Sequence, residues 1–135
     1  MDVIYQLNSQ QIKELHVLYQ NEWWTKGRTL EETQQCVSGS QICIAIIDKN
    51  NSIIGFARVL TDYIFKALIF DVIVSPEQRK TGLGDRLIGL VKNHSKLYCV
   101  KSFELYCSPE LEFFYKKHGF TSDVGNIKLL RCVNV

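Results

Sequence analysis

Two spacings of apolar residues alternate along this chain, and each predicts its own kind of element. Ile12, Leu15 and Tyr19 follow Asn8 and Ser9 at helical intervals, which predicts a helix from a polar cap to about Asn21. After a loop, "EWWTKGR", the tetrad Thr29-Leu30-Glu31-Glu32 has the capping-box pattern of a second helix ending near Gly39. The spacing then changes. "QICIAIID" and "IIGFARVLTD" flank the polar turn Lys49 to Ser52 and predict a β-hairpin. "KALIFDVIVS" is apolar almost throughout, as expected of a strand covered on both faces. Leu83, Leu87, Leu90 and Val91 return to helical spacing, to about Ser95. A strand in "KSFELYC" leads to Ser108-Pro109, a helix start whose helix carries Leu111, Phe114, Tyr115 and His118 and closes at Gly119. With a short strand within residues 2–7 and a last one from about Ile127 to Val133, the order is β-α-α-β-β-β-α-β-α-β. This predicts an α/β fold around a mixed sheet.

Composition narrows the function classes. At 135 residues and 46% hydrophobic content, residues 1–135 fit one domain with one sizeable core. Sixteen Lys and Arg against fourteen Asp and Glu leave a net charge of +2, far from the basic surface of a nucleic-acid binder. Any anion site is therefore local. Five cysteines, odd in number and never spaced C-x-x-C, argue against a disulfide framework or a zinc site and for the reducing cytoplasm. His16, His94 and His118 offer no metal-ligand spacing, so no metal is expected. The opening "MDVIYQLNSQQ" lacks the basic and apolar regions of a secretory signal. The longest apolar runs are strand-sized, so no membrane span is expected either.

The stretch "SPEQRKTGLGDRLIGLV" carries the chemistry. Two basic residues run into Gly82-Leu83-Gly84 and then into a helix, whose first N–H groups are unsatisfied and whose start is electropositive. A phosphate-binding Walker loop needs a different spacing, and a dinucleotide fingerprint needs glycine where Leu87 stands. By itself a Gly-x-Gly is only a turn. Yet "DVIVSPEQRKTGLGDRLI" resembles motif A of the GNAT N-acetyltransferases, through Val74, Pro76, Arg79, Gly82 and Gly84. The core signature is complete as Arg79-Lys80-Thr81-Gly82-Leu83-Gly84, although Lys80 stands where many members have glycine. "LYCSPELEFFYKKHGF" is similar to motif B of the same family, through Phe114, Tyr115, Lys117, Gly119 and Phe120, with Ser108 where many members have asparagine.

The resemblance implies a single-domain GNAT fold: a mixed, mostly antiparallel sheet splayed between its fourth and fifth strands and flanked by about four helices. It implies acetyl-CoA as cosubstrate, its pyrophosphate held by Arg79, Lys80, Thr81, Gly82, Leu83, Gly84 and Asp85. Its pantetheine arm is expected against the backbone of Ile73 and Val74, with Ser108, Phe114 and Lys117 nearby. Tyr115 is the expected general acid. Asp71 interrupts an apolar strand, alternating onto one face with Ile69 and Ile73; it is either a general base or a structural carboxylate paired with, for example, Arg58. Glu22 is a second candidate base. Glu22, Trp23, Trp24 and Arg28 are expected to wall the acceptor site, with at least one tryptophan in the core, and Thr61, Asp62 and Tyr63 also face that side. Cys107 is expected to be a buried thiol outside the chemistry. The implied acceptor is a primary amine of a small molecule or protein. A non-catalytic acyl-CoA-binding module and transfer of another acyl group are the alternatives. A homodimer paired through "KLLRCV" fits the family as well.

Overall fold

The computed structural model describes residues 1–134. Its elements run β1 (Asp2–Ile4), α1 (Ser9–Tyr19), α2 (Leu30–Ser38), β2 (Ile42–Ile47), β3 (Ile53–Thr61), β4 (Lys66–Val74), α3 (Leu83–Lys92), β5 (Ser102–Leu105) and α4 (Glu112–Lys116). Both predicted helix starts are present as full capping boxes. Asn8 Oδ1 accepts from Gln11 N–H at 2.8 Å, and Thr29 Oγ1 accepts from Glu32 N–H at 3.0 Å, with each third-position side chain returning the bond to the cap. The strands form one five-stranded sheet in the order β1-β2-β3-β4-β5, antiparallel except for the parallel pair β4–β5.

Helix α3 covers one face of the sheet and α1 with α2 cover the other, so side-chain alternation sorts the core into two layers. Ile44, Ile46, Val59, Ile69, Leu83, Leu87 and Val91 pack on the α3 side. Leu15, Leu18, Tyr19, Ala45, Phe56 and Ile73 pack on the other. β2 is the strand buried along its whole length, whereas β4 alternates buried with half-buried positions.

Three features depart from expectation. First, β4 bulges. Arg58 faces Phe70 and Phe56 faces Ile73, so two residues, Asp71 and Val72, stand opposite Ala57. Asp71 takes a positive φ of 56°, and the alternation shifts there: Ile69 packs under α3 while Asp71 and Ile73 face α1. Second, the motif-B helix is short. Pro109–Leu111 form a 3-10 turn before α4, and Leu111 is exposed rather than aligned on the buried side. Third, residues 127–133 carry no strand assignment and join no sheet, so the expected final strand is absent among the described residues.

Candidate active site

The sheet opens at one end. β4 pairs with β5 only through Lys66–Ile69 and Ser102–Leu105, after which β4 continues to Val74 with no β5 partner. The backbone of Phe70 to Val74 is thereby left facing a gap, and the bulge at Asp71 turns it further from regular pairing. This is the splay the resemblance implied, and it includes Ile73 and Val74.

The Gly-rich loop lies beyond the end of β4. Pro76–Gln78 form a single 3-10 turn, Lys80 and Gly82 adopt φ of 65° and 86°, and α3 starts at Leu83. The first intrahelical bond is Arg86 N–H to Gly82 O at 3.0 Å, so the amides of Leu83, Gly84 and Asp85 precede the ladder. The two glycines serve different ends. At Gly82 a Cβ would meet nothing within 4 Å, so glycine is there for its left-handed backbone and leaves open space over the loop. At Gly84 a Cβ would lie 3.2 Å from the Phe114 ring, so that glycine admits motif B against motif A. Asp85 ties the same two segments. It accepts from His118 Nε2 at 2.8 Å and sits 3.6 Å from Lys117 Nζ, and these partners, His118 first, hold its carboxyl below the usual range. A positive helix start, an open left-handed glycine and the cations Arg79 and Lys80 form a donor set that fits a diphosphate.

Tyr115 is buried, between Phe114 and Phe120 at ring distances of 5.0 and 6.0 Å. Burial, with a smaller contribution from nearby Cys107, pushes its hydroxyl up to about 12. Cys107 is exposed rather than buried, which corrects the sequence expectation. Its thiol is raised by partial burial and by Glu112 and Glu110, the opposite of an activated nucleophile.

Asp71 is engaged on both oxygens. Its Oδ2 accepts from Tyr19 Oη at 2.9 Å, Arg28 Nη1 at 2.7 Å and Arg58 Nε at 2.6 Å, and its Oδ1 accepts from Arg28 Nη2 at 3.2 Å. Burial alone would raise its pKa, but the two arginines outweigh it and hold the carboxyl below its ordinary value. A carboxylate so stabilised is a poor base. Of the two sequence readings, the geometry shows the pairing with Arg58 and adds Arg28 and Tyr19 as further partners. Arg28 also stacks over Tyr19 at 4.7 Å, and Arg58 over Phe70 at 5.1 Å, which in turn meets Tyr106 edge-on at 5.9 Å. A cationic and aromatic row thus runs from α1 across β4 towards β5. Sequence reasoning missed Tyr19 and Tyr106 in it, because spacing marks a tyrosine as apolar and says nothing of its hydroxyl.

Glu22 is paired with Arg79 at 2.5 Å, joining the loop after α1 to the Gly-rich loop. Trp23 and Trp24 are both exposed, at 77% and 39%, so neither is a core residue as one was expected to be. Thr61 and Asp62 accept bonds from the backbone of the β3–β4 turn, a structural role: Asp62 Oδ1 takes Ile64, Phe65 and Lys66 N–H. Ser108 precedes the 3-10 turn without a capping side-chain bond.

Residues 38–122 match the family model described as an acetyltransferase (GNAT) domain. A chain named uncharacterized N-acetyltransferase ycf52 from Pyropia yezoensis is 32% identical over 118 residues, which is 85% of this chain and 67% of that one. A crystal structure assigned to the GNAT family, from Xanthomonas campestris pv. campestris, superposes with a TM-score of 0.81 at 27% identity, covering 99% of this chain and 94% of the other. An aminoglycoside 6'-N-acetyltransferase complexed with coenzyme A shares the fold, with a TM-score of 0.60 at 18% identity over 68% of this chain and 53% of that one.

Proposed function

This chain belongs to the GNAT acetyltransferases and is an acyltransferase, and we propose that it transfers the acetyl group of acetyl-CoA directly to a primary amine of a small molecule or protein. The observation that carries the reading is the convergence of three features on the open end of the sheet. These are the edge of β4 that has no β5 partner from Phe70 on, the free amides of the α3 start behind Gly82, and buried Tyr115. Arg79, Lys80 and the amides of Leu83 to Asp85 would hold the diphosphate, and Ile73 and Val74 would offer main-chain groups to the pantetheine arm. Bound there, acetyl-CoA supplies an activated thioester. The bulged β4 edge then orients main-chain N–H groups that polarise a carbonyl without reorganising at the moment of reaction.

Tyr115 keeps its proton across neutral pH, because its pKa is raised to about 12. An ordinary thiol ionises near 8.5, so moving that proton fully onto a thiolate would be uphill. Tyr115 Oη is therefore assigned as a hydrogen-bond donor to the leaving sulfur, a narrower role than general acid. Asp71 stays ionised between its arginines, and the amine enters unprotonated beside the row of Arg28, Arg58, Phe70 and Tyr106. Its nitrogen bonds the acetyl carbon as the C–S bond breaks, and the proton it then sheds passes to the released sulfur, giving the amide and CoA thiol. A reducing compartment such as the cytoplasm suits cysteines that are free at all five positions. The test is steady-state release of CoA thiol from acetyl-CoA with a panel of amines. Turnover with at least one amine is expected. Binding of acetyl-CoA with no turnover on any of them would move the reading to a binding module.

A further inference from the structure

A cavity of about 820 Å³ lies on the flank of α3, and no residue of the Gly-rich loop lines it. Arg86, Gly89, Leu90 and Asn93 line it from α3, a stripe at i, i+3, i+4 and i+7 on the side away from buried Leu87 and Val91. The remaining lining comes from Tyr5 and Gln6 after β1, from Gln41 to Cys43 at the start of β2, and from His94 to Lys96 after α3. Its charged residues are all basic: Arg86, His94 and Lys96 are present and no Asp or Glu lines it, in a chain whose charges otherwise nearly balance. Neither Arg86 nor Lys96 forms an ion pair among the described residues; Arg86 Nη1 donates to Met1 O at 3.1 Å. Burial, and then the Lys96 ammonium, lower the pKa of His94. Lys96 N–H donates to His94 Nδ1 at 3.1 Å, which leaves the ring proton on Nε2 as a donor. Gln41 Oε1 accepts from Thr61 N–H at 2.9 Å, which leaves the Gln41 amide nitrogen to donate. Gly89 is a separate sign. Glycine weakens a helix, yet a Cβ at Gly89 would meet nothing within 4 Å, so no neighbour in the fold requires its absence. The bare backbone keeps the α3 side of the cavity open.

We propose that this cavity binds an organic anion, a carboxylate or a phosphate ester carried on a flat apolar body. Arg86 and Lys96 meet the anionic head, one as a planar fork and the other as a point charge, with His94 Nε2 and the Gln41 amide as neutral donors. The body lies against Ile42, Leu90 and the half-exposed Tyr5 ring, which stands edge-on to His94 at 5.4 Å. Gly89 gives that body room against the helix backbone. The volume suits such a ligand, since small-molecule cavities run to about 300–1,000 Å³. Neither Tyr115 nor any residue from Ile69 to Asp85 lines the cavity, so its ligand is an effector and not the acyl acceptor. Helix α3 joins the two sites: its first amides face the Gly-rich loop, and its stripe from Arg86 to Asn93 lines the cavity.

The test uses the full chain without acetyl-CoA, so its outcome is separate from the acetyl-transfer reading. Phenyl phosphate and phenylacetate are titrated into isotope-labelled protein, with benzyl alcohol as the neutral control, and backbone amide shifts are followed by NMR. At least one anion should give saturable shifts at Gly89, Leu90, Asn93 and His94, and which one does so distinguishes a phosphate ester from a carboxylate. Arg86→Gln and Lys96→Gln should each weaken that binding about tenfold, the worth of one hydrogen bond to a charged group. Both side chains are exposed, so the variants stay folded by circular dichroism. Gly89→Ala should unfold at a higher urea concentration than wild type and yet bind the anion more weakly, a pairing that a merely structural glycine would not give. No saturable shift with either anion overturns the proposal. So do equal binding of benzyl alcohol, shifts confined to Arg79–Asp85, and undiminished binding by both Arg86→Gln and Lys96→Gln.

Discussion

Asp71→Asn isolates the charge at the centre of the cationic row. Asn tolerates the left-handed φ of 56° about as well as Asp, so the bulge is not strained by the change. What is lost is the negative charge between two arginines. The Asp71 side chain is 3% exposed, against 30% for Arg28 and 13% for Arg58, so the pairs are buried at the carboxylate and half-open at Arg28. Breaking a buried pair by removing one partner costs about 3–5 kcal/mol. The partial exposure of Arg28 places this case at the lower end, at about 3 kcal/mol, or roughly a 10 °C fall in Tm for a domain of this size. The pH dependence has a fixed sign. The folded pKa of Asp71 is depressed, so its contribution is fully present above the unfolded value of about 3.9 and is lost as pH falls through the folded value. Urea unfolding of wild type and Asp71→Asn from pH 7 down to pH 3 measures this. The gap between the two proteins is expected to hold constant at neutral pH and to narrow below about pH 4. A gap below about 1 kcal/mol at pH 7 would put the pair in the range of surface ion pairs and refute the reasoning.

Three further predictions concern the two loops and motif B. Tyr115→Phe lowers kcat with little change in KM for acetyl-CoA. In wild type, a pKa near 12 keeps the hydroxyl protonated, so the pH–rate profile shows no loss at moderately alkaline pH that Tyr115→Phe abolishes. Glu22→Gln releases Arg79 from its ion pair, and calorimetric titration should find acetyl-CoA bound about two- to five-fold more tightly at low salt, the worth of one exposed pair; unchanged affinity would show that the pair does not compete for Arg79. Gly84→Ala gains helix propensity but brings a Cβ to 3.2 Å from Phe114, so chemical denaturation should show it coupled to Phe114→Leu by 0.5 kcal/mol or more, roughly the least a contacting pair shows, and strict additivity would deny the contact.

Much of this architecture could be read from local pattern. Asn8 and Thr29 announce their helices because a cap is a short-range interaction written in adjacent residues. The Gly82 turn and the amphipathic α3 follow for the same reason. The bulge at Asp71 was not legible, because an extra residue in β4 is defined only by its pairing with β3, and the face of Ile69 was misassigned in consequence. The exposed Trp23 and Trp24 defeat a rule about apolar burial that holds on average and fails in a loop. The segment at residues 127–133 has the composition of a strand but joins no sheet among the described residues. In the candidate site, the Gly-rich loop and Tyr115 were visible as motifs. The full set of partners around Asp71 needed the positions of Arg28 and Tyr19, which lie far from it in sequence.

The most direct test of the central claim is thermal unfolding with and without acetyl-CoA, on wild type, Tyr115→Phe and Gly82→Pro. Proline cannot adopt the φ of 86° that Gly82 holds, so the last variant reshapes the loop at the start of α3. At about 100 times its dissociation constant the ligand should stabilise wild type and Tyr115→Phe by roughly 2.7 kcal/mol. A folded Gly82→Pro should gain almost nothing. A wild type left unmoved by saturating acetyl-CoA would contradict the account.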